Sequence, residues 1–377
     1  MSDRKLAILG IAALIMLGGA ILQSHMGRKV NTAVFSSSPL VEGLPIEAVS
    51  AVTITSEKGT QTVRLQKQNN VFVVAAKDNY PADVSKINTL ISHCLDIRTR
   101  EKITSDPANH ADLKVTPETA RYVIAFQDKD GKDIVGLAVS ESDENGNSFA
   151  RLLNSDDVYT VSDVPWIDTS VMGYINTKLL EVQQDKVSSV AVRTPEDTYV
   201  LAAAEEGGEI RLENMPQGKQ YKGTTYKTVF NALSYLRFDD VMAAEKAPAD
   251  LDFNSVYTCK LKDLTVYKVQ LAKQGDKTYA KVSADYLDKT EVTKTVGQVE
   301  SEEELKKKEA KLLAIDAVNA FNQKHQGWIY VIPSYKSGDL SKPLAELIED
   351  IPTKPQAAES DAAEKAADMP ADPNAAA

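Results

Sequence analysis

The chain repeats itself at a fixed offset. Val49–Ile54 (VSAVTI) resembles Val187–Val192 (VSSVAV), and Ala111-Asp112-Leu113 matches Ala249-Asp250-Leu251, each pair 138 residues apart (187 − 49 and 249 − 111). Equal spacing at two landmarks some sixty residues apart predicts one arrangement of elements built twice.

The elements between the landmarks agree in order. In the first copy, β-branched and apolar residues gather between turn signals at Val49–Ile54, Thr62–Leu65 and Val71–Val74, the pattern of short strands. A helix follows, with Asp83 as its cap and Val84, Ile87, Leu90, Ile91, Cys94 and Leu95 on one face. Strands return at Tyr122–Phe126, Ile134–Val139, Phe149–Leu153 and Val158–Val161, separated by Asp130-Gly131 and Asn145-Gly146 turns that predict an antiparallel meander. The second copy offers strands at Tyr199–Ala203 and Glu209–Leu212, then a helix carrying Tyr226, Val229, Phe230, Leu233 and Leu236. Its later strands are Val256–Leu261, Val266–Ala272, Tyr279–Val282 and Trp328–Ile332. An insertion at about 285–326 breaks the symmetry, where the capping-box pattern Ser301–Glu304 opens a charged helix with Leu305, Leu312, Leu313, Ile315, Val318 and Phe321. Packing on its own domain is the plain reading of that helix, and docking a partner helix the sharper one.

A chain of 377 residues with 43% apolar content has material for a large core. Its net charge of −11 argues against a nucleic-acid partner, since phosphate binding needs clustered Lys and Arg. The N-terminus carries a different signal. Leu6–Leu22 is 17 residues without a charge, preceded by Arg4 and Lys5, which is long for a signal-peptide core and at the short end of a membrane span. The reading is a cytoplasmic leader at 1–5, a transmembrane anchor at 6–24 and a Ser- and Pro-containing tether at 25–45. Gly18 and Ala20 form a small-x-small pair, so cleavage stays the alternative. Arg28 and Lys29 nearly balance the leader charges, and the shortness of the leader then places the body outside. From Thr353 the chain has no aromatic residue and no apolar period, the composition of a disordered tail over 353–377.

Motifs for chemistry are sparse. Histidines stand at 25, 93, 110 and 325 without metal-ligand spacing, and no nucleophile elbow, HExxH or phosphate-cradling glycine loop occurs. Asp156-Asp157 and Asp239-Asp240 are adjacent carboxylates, read as solvated loops. Glu141–Asn147 imitates the first half of a calcium loop but has Leu152 where the bidentate glutamate belongs, so an Asn-Gly hairpin explains it with less. Cys94 and Cys259 read as small core residues, a single long-range disulfide being the alternative. Trp166 and Trp328 are core or rim aromatics in the bland reading and binding platforms in the sharp one. No catalytic, cofactor-binding or metal residue is assigned.

The Tyr80-Pro81-Ala82-Asp83 helix opening with Lys86, Ile87 and Leu90, the Ala-Asp-Leu landmark, and Val158–Val161 followed by Val164 and Trp166 carry a resemblance. Over most of residues 46–350 the chain resembles the bacterial domain-of-unknown-function family 4340. It departs in the insertion and at Tyr221-Lys222-Gly223-Thr224, which replaces the Tyr-Pro-Ala-Asp opening in the second copy. The resemblance implies an N-terminal anchor and a gene placed beside ABC-type transporter components of the gliding-motility kind. It offers no catalytic residue to carry over.

The expectation is therefore an α+β body of two tandem repeats, 46–183 and 184–352, each a mainly antiparallel sheet with a packed helix, preceded by one transmembrane helix. The expected role is non-enzymatic, a periplasmic accessory or scaffold tethered to a bacterial inner membrane and contacting ABC-type transporter subunits. The alternative is a small-molecule or glycan-binding module, or an unrecognised hydrolase, with a site between the repeats.

Overall fold

Period-two alternation of apolar residues is realised as two large antiparallel sheets. The computed structural model describes residues 37–56, 59–144, 146–204, 208–292 and 301–352. The expected anchor at Leu6–Leu22 and the tail from Thr353 lie outside these residues. Among those described, no helix is long and apolar enough to cross a membrane. The chain forms two compact units, one from the residues up to Ala75 with Pro81–Tyr174, the other from Ala76–Tyr80 with Ile175 onward.

The strands of the first large sheet are β1 (Ser38–Pro39), β2 (Ala51–Ser56), β3 (Gln61–Gln68), β4 (Val71–Val74), β5 (Tyr80–Pro81), β6 (Arg98–Thr104), β7 (Tyr122–Gln127), β8 (Asp133–Val139), β9 (Ser148–Leu152) and β10 (Val158–Ser162). Their order in the sheet is β1-β6-β10-β9-β8-β7-β2-β3-β4-β5. Register sets the core: Ile54 is opposite Val63 on one side and Ile124 on the other, and Ile124 is opposite Leu137, all four fully buried. A one-residue slip of β2 would turn its apolar set outward, so this buried row pins the pairing. Helix α1 (Val84–Asp96) starts where expected, the Asp83 carboxylate accepting the Ser85 N–H at 2.9 Å, and it buries Ile87, Leu90, Ile91 and Cys94. Val84, on the same face by spacing, is exposed at the first helical position.

Two expectations are corrected here. The tether was placed through residue 45, but β1 pairs with β6 and Leu40 and Val41 are buried, with the Leu40 N–H on the Ile97 carbonyl at 2.9 Å. An adjacent apolar pair gains more from the sheet than from water. Strand β6 was not expected at all. It buries Thr99 alone and exposes Ile103, so it carries no apolar period and is held by its pairing with β10 and β1.

The second unit contains β11 (Lys178–Leu180), β12 (Val187–Arg193), β13 (Thr198–Ala203), β14 (Ile210–Leu212), β15 (Lys219–Tyr221), helix α2 (Thr225–Phe230), β16 (Leu236–Arg237), β17 (Asp240–Ala243), β18 (Ser255–Leu261), β19 (Thr265–Gln274), β20 (Lys277–Tyr286), helix α3 (Glu302–His325), β21 (Trp328–Ile332), helix α4 (Ser334–Leu340) and β22 (Ile348–Asp350). The main sheet runs β14-β13-β12-β18-β19-β20-β21-β17, while β11 pairs with β16 and β15 with β22. Set β12, β13, β14, β17 and β18–β21 against β2, β3, β4, β6 and β7–β10, and the order of neighbours in the two large sheets coincides.

Helix α2 is shorter than its pattern. It ends at Phe230, and the chain continues through turns in which Ala232 N–H meets the Val229 carbonyl and Ser234 N–H the Asn231 carbonyl. Leu233 and Leu236 are still buried, but Leu236 sits in β16, paired with β11. The apolar period thus described burial correctly while strand pairing decided the backbone. Helix α3 has the expected capping box, with the Ser301 N–H on the Glu304 carboxylate at 3.0 Å. On its β20 side, strand β21 pairs with Thr278–Ala280. Further along that edge the Asn322 amide of α3 serves both backbone groups of Ala284, accepting its N–H at 2.8 Å and donating to its carbonyl at 2.9 Å. An open strand edge is satisfied by a side chain there.

Candidate functional site

The feature with most chemical potential is a cleft of about 630 Å³ in the first unit, built where strands β2, β7 and β8 run out. Ser56 ends β2 opposite Tyr122, the first residue of β7. Both are 4% exposed. Ser56 lines the cleft, and its hydroxyl is buried without a hydrogen-bond partner among the described residues. A buried hydroxyl without a partner costs about 1–3 kcal/mol, and few native groups are left in that state.

Charged walls come from turns. Arg121 precedes β7, its N–H bound to the Val139 carbonyl at 2.9 Å and its guanidinium 4.8 Å from the centre of the Tyr122 ring. Lys114 closes the turn after Ala111 with a left-handed backbone (φ 55°) and projects into solvent. Neither cation has a carboxylate within ion-pair distance among the described residues, whereas Lys102 pairs with Asp157 at 2.7 Å and Lys311 with Asp288 at 2.7 Å. Among the described residues Glu141, just beyond β8, is the one carboxylate on the cleft wall.

The cleft wall also includes Trp166, 67% exposed. Its neighbour Ile167 takes the inward position, and the next residue locks the segment: the Asp168 carboxylate accepts the Ser170 N–H at 2.8 Å, and its carbonyl accepts the Tyr174 hydroxyl at 2.7 Å. A Cβ on Gly173 would overlap that carboxylate, so glycine is what lets the turn close. Trp166 also walls a smaller recess of about 100 Å³ shared with His93, Lys86 and Tyr174.

The residues singled out in the sequence disperse. His93 borders the small recess, and His110 is buried with its Nε2 3.1 Å from the Asp156 carbonyl. His325 is buried in the second unit, 2.6 Å from the Tyr330 hydroxyl, and burial lowers it to about pKa 4. His25 lies outside the described residues. Asp157 and Asp240 are paired with Lys102 and Lys77 and are not free loop carboxylates. In the calcium-like segment the Asp143 side chain accepts the Asn147 N–H at 2.8 Å, so a turn uses the oxygen an ion would need; Asn145 lies outside the described residues. Cys94 and Cys259 are free and buried, each thiol pushed up to about 12 by burial. Trp328 packs edge-on against Tyr80, ring centres 4.8 Å apart, while Trp166 is exposed. What sequence reading missed is Ser56, Lys114 and Arg121, which lie far apart in the chain and carry no motif.

These observations define an α+β protein of two antiparallel-sheet units with an aromatic, cation-bearing cleft in the first. Residues 73–255 match the family described as Domain of unknown function (DUF4340). No curated protein and no solved structure matches the chain.

Proposed function

We propose that the protein is a membrane-tethered, non-enzymatic accessory or scaffold of a bacterial envelope ABC-type transport system, with its body on the periplasmic side. It works through protein contacts. The observation that carries this reading is α3, whose 24 residues reach about 36 Å at 1.5 Å per residue. Its C-terminal half packs through Ala314, Ile315, Val318 and Phe321 on Ala284, Tyr286 and Tyr267. Its N-terminal half leaves Leu305, Leu312 and Leu313 exposed at i, i+7 and i+8. The flanking charges satisfy one another along the helix, Lys306 with Glu302 and Lys307 with Glu303, so the leucines are the part left to a partner. An amphipathic helix of a transporter subunit has the complementary chemistry. The Leu6–Leu22 run supplies the tether. The same reading takes the two sheets as a tandem duplication, supported by the coinciding strand orders and the 138-residue offset (187 − 49).

Crosslinking in intact cells tests it. The full chain is expected to capture transporter membrane subunits, and the triple variant L305S/L312S/L313S to lose them while remaining folded. Recovery of the wild-type protein alone would defeat the reading. A reporter active only outside the cytoplasm, fused after Pro352, is expected to be active.

A second reading, a ligand-binding module, is favoured by the cleft beside Trp166, because concave sites with a few convergent polar groups are where small molecules bind.

A further inference from the structure

We infer that the cleft of the first unit binds an acidic saccharide, with a sugar ring against Trp166 and its carboxylate met by Lys114 and Arg121. This goes beyond the scaffold role and is independent of it.

Three observations converge. The volume of about 630 Å³ is that of a small-molecule site, for which roughly 300–1,000 Å³ is usual. Trp166 holds a large apolar face open to solvent at 67% exposure, fixed from behind by buried Ile167 and the Asp168 turn. An aromatic face is electronegative and suits the electropositive C–H face of a sugar ring, and covering it also removes apolar area from water. Lys114 and Arg121 meet two to one with Glu141, which makes the cleft locally cationic in a chain of net charge −11. That reversal selects an anion, and the planar guanidinium suits a carboxylate.

The remaining wall is polar. Thr119 and Thr169 contribute hydroxyls, donor and acceptor at once, and Glu141 an acceptor, which match the hydroxyls of a sugar. A purely apolar acid would leave these groups unmet.

The test uses the full chain and three probes: tri-galacturonate, the neutral sugar maltotriose, and the non-sugar polycarboxylate tricarballylate. The chain has two tryptophans, and Trp328 is packed on Tyr80, so a change in intrinsic fluorescence reports mainly Trp166. Saturable binding of tri-galacturonate is expected, confirmed by calorimetry. K114Q and R121Q should each weaken it about tenfold or more, the scale of a lost charge-assisted hydrogen bond. W166A should abolish it. Denaturation midpoints equal to the wild type in K114Q, R121Q and W166A would show that the drop in affinity is not a folding defect. Equal affinity for tricarballylate would show a plain anion site, and equal affinity for maltotriose would remove the cations from the argument. Either result, or no binding of any probe, overturns the assignment.

Discussion

Nδ1 of His325, near the end of α3, lies 2.6 Å from the hydroxyl of Tyr330 in β21, and both side chains are buried. Tyr80 joins them from the distant segment Ala76–Tyr80, its hydroxyl bonded to that of Tyr330 and its ring 4.8 Å from that of Trp328. Burial, with a smaller contribution from Lys324, holds the imidazole at about pKa 4 against 6.5 when free. Folding therefore favours neutral His325. The unfolded chain binds the extra proton, so stability is full above pH 6.5 and falls as the pH drops toward 4. The loss reaches about 3 kcal/mol from this group at 1.36 kcal/mol per unit. Urea midpoints measured from pH 7.5 to 4 should show this slope in the wild type and a shallower one in H325Q.

Arg151 is a buried cation whose hydrogen-bond partners among the described residues are all carbonyls. Its Nε donates to Val115 at 2.9 Å, and Nη1 reaches the carbonyls of Leu152, Leu153 and Ser155 at 3.3–3.4 Å. Removing it strands several acceptors, so R151A should cost about 3 kcal/mol in denaturant unfolding. R151K keeps the charge but lacks the planar fork and should recover only part of that.

The Asp83 cap makes a sharper test of local structure. D83A should cost about 1 kcal/mol of stability, while D83N, whose side chain caps as well, should be near neutral. Equal losses in the two variants would mean that the charge, and not the hydrogen bond to Ser85, stabilises α1.

Cys94 and Cys259 are free, buried and held as thiols by their apolar surroundings. Thiolate is the reactive form, so neither should react with a disulfide reagent at pH 8 until the protein unfolds. Both should then react together, at two thiols per chain.

The sequence was legible wherever an element carries its own period. Val71–Val74 is found as read, α1 begins at its Asp83 cap and α3 at its Ser301 box, because alternation, helical spacing and caps are local properties. Strand β6 was illegible since RTREKIT has no buried face of its own; neighbours on both sides supply its hydrogen bonds. The cleft was illegible for a related reason. Ser56, Lys114, Arg121 and Trp166 are ordinary residues in ordinary contexts until a sheet end gathers them.

By itself, then, the sequence determined the alternating strands, the two capped helices and a recurrence of landmarks 138 residues apart (187 − 49). Those depend on neighbours a few residues away. Only the tertiary structure decided that the two sheets share one strand order, that α2 stops at Phe230, that Leu40 and Val41 are buried, and that Trp166 stays exposed while Trp328 does not. Interstrand hydrogen bonds and burial are settled between residues far apart in the chain, where no local pattern reaches.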